Sequence, residues 1–142
     1  MRSLGIDYGD ARVGLAITDA LGITAQGLET INRNGSDKIV LRKIDEKLEK
    51  YSDIETIVIG MPFNMDGTKG FRTEITEKFI HKLKCKYNKL KIETIDERLT
   101  TVAAHKTMNF LNVKKENKKG IVDTISAVYI LESYLNKNKN KI

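Results

Sequence analysis

Residues 56–60, Thr56-Ile57-Val58-Ile59-Gly60, form a short and almost wholly apolar run. A strand with one face in water alternates apolar and polar side chains. A run without that alternation fits a strand covered on both faces, as in a parallel or mixed sheet. This places residues 56–60 at the centre of a sheet, and the remaining elements must be arranged around it.

The other strands follow from shorter patterns. Leu4-Gly5-Ile6-Asp7-Tyr8-Gly9 reads as the first, Val13-Gly14-Leu15-Ala16-Ile17-Thr18 as the second, joined through Asp10-Ala11-Arg12 as a short turn. Gly27-Leu28-Glu29-Thr30-Ile31 and Lys91-Ile92-Glu93-Thr94-Ile95 supply two more. Ser36 or Asp37 caps an amphipathic helix whose apolar stripe is Val40, Ile44, Leu48 and Tyr51. A second helix carries Ile75, Phe79, Leu83 and Tyr87, and a third is predicted to begin near Thr100 or Thr101 as its caps. Residues 113–120, rich in lysine, are predicted as a basic loop, and 121–135 as the last helix. The expected organisation is one domain over 1–136, with a flexible Lys/Asn-rich tail at 137–142.

Asp7 is the residue that this scaffold does not explain. It interrupts an apolar strand, where a carboxylate requires a charge partner, a hydrogen-bond network or a metal ion. A plainer role is acceptance of backbone N–H bonds from the turn that follows. Two further carboxylates belong with it: Glu97, just beyond the strand at 91–95, and Asp123. Asp123 shares a helical face with Ala127, Ile130 and Tyr134 near the start of the last helix. Taken singly, Glu97 is an ordinary solvated residue and Asp123 a favourable charge in a first helical turn. Gathered together, three carboxylates repel and raise one another's pKa, and a divalent cation removes both penalties. Oxygen ligands select Mg²⁺ or Mn²⁺. Zn²⁺ fits less well because His81, His105 and Cys85 are not expected to form a ligand set. His81 and His105 read as surface residues, and Cys85 as packing.

Composition limits the setting. One cysteine permits no internal disulfide and fits a reducing cytoplasm. No apolar stretch is long enough to cross a bilayer, so no membrane partner is expected. The net charge of +6 favours a polyanionic partner only weakly, since half of the excess is Lys137, Lys139 and Lys141.

In combination these motifs resemble the Holliday-junction-resolvase-like nucleases of bacteria, the YqgF type, also described as pre-16S rRNA nucleases. The resemblance rests on four pieces in order. They are Gly5-Ile6-Asp7-Tyr8-Gly9 with Arg12 and Gly14-Leu15-Ala16, then Ile59-Gly60-Met61-Pro62 leading to Asn64-Met65-Asp66-Gly67. Asp96-Glu97-Arg98-Leu99-Thr100-Thr101 follows, and last comes Asp123 within Val122-Asp123-Thr124-Ile125-Ser126-Ala127. It implies a ribonuclease-H-like α/β fold, a mixed five-stranded sheet flanked by helices, and a magnesium-dependent endonuclease. The catalytic and metal-binding carboxylates it implies are Asp7, Glu97 and Asp123. Adjacent residues at a strand end point to opposite faces, and the resemblance favours Glu97 over Asp96. Ala11 and Phe71 depart from the family pattern, where a basic residue and a proline are common.

Arg12 and Arg98 are candidate phosphate contacts, with pairing to Asp10 or Asp96 as the alternative. Asn64 and Lys69, in the loop at 64–70, are candidates to meet substrate; Lys114, Lys115, Lys118 and Lys119 could track a phosphate backbone. The expected substrate is structured RNA, the precursor of 16S rRNA in ribosome biogenesis, with branched DNA as the alternative and ribosome-assembly partners possible. A monomer or a homodimer would suit either. A non-catalytic nucleic-acid-binding module is the reading of another class. The ATP-binding fold of sugar kinases and actin shares the Gly5–Gly9 pattern, but needs a second domain to close its cleft.

Overall fold

The computed structural model describes the backbone of residues 1–97 and 115–139, and the side chains of 1–97 and 124–138. Its elements are β1 (Arg2–Tyr8), β2 (Arg12–Thr18), β3 (Ala25–Asn32), α1 (Lys38–Lys50), β4 (Ile54–Met61), α2 (Phe71–Lys86), β5 (Lys91–Asp96) and α3 (Lys115–Lys139). The helix expected near Thr100 and Thr101 lies outside the described residues, as do Arg98, His105 and Lys114.

The five strands make one sheet in the order β3-β2-β1-β4-β5. β1 pairs antiparallel with β2, and β2 with β3, as the hairpin pattern predicts. β1 and β4 pair in parallel, as do β4 and β5. The apolar run at 56–60 therefore sits between two parallel neighbours, which is why it lacks alternation.

Helices cover both faces. On one, Leu4, Ile6 and Tyr8 of β1, Leu15 of β2 and Ile57 and Ile59 of β4 pack with Val40 and Ile44 of α1 and Phe79 and Leu83 of α2. On the other, Ala16, Val58 and Ile95 meet Ala127, Ile130 and Leu131 of α3. The second contact is close because β1 offers a glycine: a Cβ on Gly5 would lie 2.6 Å from Leu131 Cγ and 3.0 Å from the Ala127 carbonyl. Among the described residues no helix is long and apolar enough to cross a membrane.

Two expectations need correction. Residues 115–120, predicted as loop, are the first turns of α3, which also runs to Lys139, into the segment predicted as tail. Lys, Glu and Asn suit a solvated helix face as well as a loop. Gly120 costs only about 1 kcal/mol in a helix that packing holds farther along. Cys85 is exposed rather than packed, and its Sγ lies 3.6 Å from His81 Nε2. Spacing i, i+4 places the two on one helical face, a neighbour relation the sequence reading passed over. Of the two capping residues expected for α1, Ser36 makes the bond, its Oγ accepting from the Lys38 N–H at 3.1 Å; Asp37 stands at the N-cap without a side-chain capping bond, because its carboxylate is committed elsewhere.

Candidate active site at the strand ends

β1, β4 and β5 run parallel, so their C-terminal ends lie together, where open α/β sheets gather ligands. Asp7 is the penultimate residue of β1 and Glu97 directly follows β5. Asp7 pairs with Gly14, and Gly14 with Thr30. On the other side Ile6 is level with Ile59, so Gly60 comes alongside Asp7. One row across the sheet thus reads Thr30, Gly14, Asp7, Gly60. Glycine stands on both strands that flank Asp7.

The alternation of faces fixes where Asp7 belongs. Leu4, Ile6 and Tyr8 are buried on the α1/α2 side, whereas Gly5 lies under α3, so Asp7 shares the α3 side. It is half-buried. Glu97 reaches the same face: a Cβ on Gly60 would collide with the Glu97 carboxylate, and would lie 2.7 Å from Ile130 Cδ1. The Glu97 backbone is held by donation from its N–H to the Met61 carbonyl at 3.2 Å. Ile95 packs on the α3 side, Asp96 is exposed, and Glu97 returns to that side. The choice of Glu97 over Asp96 therefore agrees with the pleat.

α3 crosses above this row. Thr124 and Thr30 hydroxyls are 2.7 Å apart, and Thr124 Cγ2 occupies the space left by Gly27. The Asp123 backbone precedes Thr124 by one residue in the same helix; its side chain lies outside the described residues, with those of Lys115, Lys118 and Lys119. The structure brings Asp7 and Glu97 to one face and one end of the sheet, and runs the Asp123 backbone past the same row. Among the described residues no group of three or more His, Cys, Asp and Glu is placed to hold a metal. Asp7 and Glu97 fit a hard cation in donor type, and the Gly60 cradle leaves room for the Glu97 carboxylate beside the strand.

The proposed substrate contacts fare differently. Arg12 begins β2 on the Asp7 face, two residues before Gly14, at the mouth of the site. The Asp10 carboxylate, its suggested partner, is engaged by Arg72. Asn64 closes its own loop, donating from Nδ2 to Thr68 Oγ1 at 2.9 Å, while its backbone N–H donates to the Thr68 carbonyl. Lys69 pairs with Glu77 at 3.3 Å. Both have local structural work at the strand-end side of the sheet.

Sequence reasoning missed Arg72 and the Asp37 cluster. Arg72 donates to the Tyr8 carbonyl at 2.8 Å and pairs with Asp10, tying α2 to the turn after Asp7. Asp37 accepts from Tyr8 Oη at 2.6 Å, from Arg33 Nη2 at 2.9 Å and from Lys82 at 2.8 Å. Burial pushes the Asp37 carboxyl up, but hydrogen bonds from Lys82, Tyr8 and Arg33, with the Arg33 charge, outweigh it and leave the group below the usual carboxylate range. Burial, then the bond to Asp37 and its charge, push the Tyr8 hydroxyl well up. Except for Arg33–Asp37, an i, i+4 pair, each contact joins residues far apart in sequence, so no local pattern announces it.

The sequence profile of the RuvX family, described as Holliday junction resolvase, matches residues 1–137. The chain belongs to this family. A protein of Ruminiclostridium cellulolyticum named "Putative pre-16S rRNA nuclease" is 55% identical over 137 residues, covering 96% of this chain and 95% of its own length. One of the same name from Acetivibrio thermocellus is 49% identical over 142 residues, covering 100% and 99%. Among solved structures, Thermus thermophilus RuvC in complex with a Holliday junction substrate superposes with a TM-score of 0.55 at 13% identity, covering 97% of this chain and 96% of that one. Fowlpox virus resolvase with Holliday junction DNA gives 0.57 at 14%, covering 97% and 99%. These likenesses show the fold: a ribonuclease-H-like mixed sheet. As a member of the RuvX family the chain is a nuclease.

Proposed function

We propose that the chain is a divalent-metal-dependent endonuclease that cuts the precursor of 16S rRNA during ribosome assembly in the cytoplasm. One observation carries the reading: the Glu97 carboxylate seated over Gly60, on the face and at the strand end that hold Asp7. Two carboxylates so placed need neutralisation, and Mg²⁺ or Mn²⁺ held by Asp7, Glu97 and Asp123 would supply it. Bound there, the cation would activate water and offset charge on the leaving oxygen. Asp7 contributes a rigid ligand because it is locked into a strand paired on both sides. Glu97 contributes one that can adjust, because it follows the strand end. Arg12, at the mouth on the same face, would hold a phosphate of the strand being cut. The RNA substrate comes from the name carried by the relatives at 49% and 55% identity.

The test is cleavage of labelled precursor rRNA and of a four-way DNA junction, with Mg²⁺, Mn²⁺ or chelator. Asp7→Asn, Glu97→Gln and Asp123→Asn should each lower the cleavage rate by roughly 100-fold or more while the fold persists. Cleavage untouched by all three would sink the site. Cutting of the junction but not the RNA would reassign the substrate, and binding without cutting would favour the non-catalytic module.

A further inference from the structure

The loop between β3 and α1 opens into a shallow recess of about 240 Å³ lined by Arg33, Asn34, Ser36, Lys38, Ile39 and Arg42. Its charge is one-sided. Arg33 is paired with Asp37, but among the described residues neither the Lys38 ammonium nor the Arg42 guanidinium has a carboxylate partner. The acids nearest along α1 are committed: Asp45 to Lys86 and Tyr87, and Glu46 to Lys43.

This arrangement is electrostatically unfavourable on two counts. Lys38 is a cation in the first turn of a helix, against the macrodipole, and that turn holds no acidic residue. Lys38 and Arg42 are a like-charged i, i+4 pair. Arg33 borders the same recess with its charge already shared with Asp37. A bound anion relieves both counts at once.

The recess also lies at the end of the sheet where the carboxylates are. β3 ends at Asn32 opposite Arg12, the first residue of β2. Arg33 then fastens the recess to the β1–β2 turn: its backbone N–H donates to the Ala11 carbonyl at 2.9 Å, and Nη1 to the Asp10 carbonyl at 2.6 Å. The recess is on the α1 side of the sheet and Asp7 on the α3 side. A chain passing from one to the other crosses the β1–β2 turn beside Arg12.

We propose that Arg33, Lys38 and Arg42 form a second phosphate-backbone contact for the nucleic acid, outside the segment being cut. The inference rests on the nuclease reading above and adds the path of the substrate across the end of the sheet. It makes affinity depend on substrate length, since a short oligonucleotide fills the carboxylate site without reaching the recess.

The experiment measures binding of a long precursor-rRNA fragment in chelator, across a series of salt concentrations. It compares the wild type, Lys38→Gln/Arg42→Gln, and a control Lys89→Gln/Lys91→Gln of equal charge change at the opposite end of the sheet, where β5 begins. The first pair should weaken binding roughly tenfold and reduce the slope of log K against log salt by about 1.5; the control should do neither. The melting temperature of Lys38→Gln/Arg42→Gln should hold or rise slightly, because a repulsion is removed, so weaker binding is not loss of fold. Cleavage of a short oligonucleotide should be unchanged by either pair. Equal effects from the two pairs would overturn the recess while leaving the nuclease intact. A wild type that neither binds nor cuts RNA or junction DNA would overturn both readings.

Discussion

Gly60 shows how a single absent side chain makes room for a carboxylate. It ends the apolar run of β4 on the α3 face, and the Glu97 carboxylate and Ile130 Cδ1 crowd the place where a Cβ would stand. Gly60→Ala must displace one of them. Ile130 is fully buried, so the strand-end Glu97 has the easier escape. The substitution should cost about 1–3 kcal/mol of stability, as overpacking does. It should also lower the cleavage rate by roughly tenfold or more, since a ligand misplaced by about 1 Å costs on the order of 100-fold. Chemical denaturation and the cleavage rate, measured on the same preparation, separate the two losses. An alanine variant with full activity would show that the Glu97 carboxylate does not work from its place over Gly60.

At the scale of elements, Asp37 is the point where β1, α1 and α2 are held together, through Tyr8, Arg33 and Lys82. The Tyr8 ring stacks on Phe79 of α2 at 4.1 Å between centroids, so the junction is apolar on one side and charged on the other. The Asp37 pKa is lowered in the fold, so the stability it contributes is present above the ordinary value near 3.8 and is lost as pH falls through the lower folded value. Tyr8 acts at the other limb: its raised pKa contributes stability below about pH 10 that is lost at higher pH. Asp37→Asn should cost about 1–3 kcal/mol at neutral pH, by leaving Lys82 and Arg33 without their anion. It should also flatten the acid limb below about pH 4, which unfolding curves across pH would reveal. An acid limb identical to that of the wild type would remove Asp37 from this role. Such a junction marks the limit of what could be read beforehand. The central strand announced itself through an apolar run without alternation, the first two helices through apolar residues at helical spacing, and Asp7 through a charge set in an apolar strand. The contacts of Asp37 with Tyr8 and Lys82, and of Arg72 with Tyr8, span 29 to 64 residues and leave no local trace. The first turns of α3 were misread because a charged helix face and a solvated loop have the same composition.

For the molecule as a whole, the sheet sets two opposed demands. Its α1/α2 face is a continuous apolar core, while its α3 face trades core for carboxylates at the strand ends. That trade should leave the metal-free protein less stable than its size allows, since Asp7 and Glu97 share a face that also receives α3. Mg²⁺ or Mn²⁺ that binds the folded state should then raise the melting temperature. At ten times the dissociation constant the gain is about 1.4 kcal/mol, which corresponds to roughly 3–6 °C for a chain of this length. Asp7→Asn should reverse the pattern: a melting point equal to or above the wild type in chelator, because a repulsion is gone, and little response to added Mg²⁺. Thermal unfolding with and without the cation, wild type beside variant, reads both signs without any cleavage. A variant that keeps the full Mg²⁺ shift would place the cation elsewhere on the molecule. One that loses stability in chelator would show that Asp7 serves the β1–β2 turn rather than a metal.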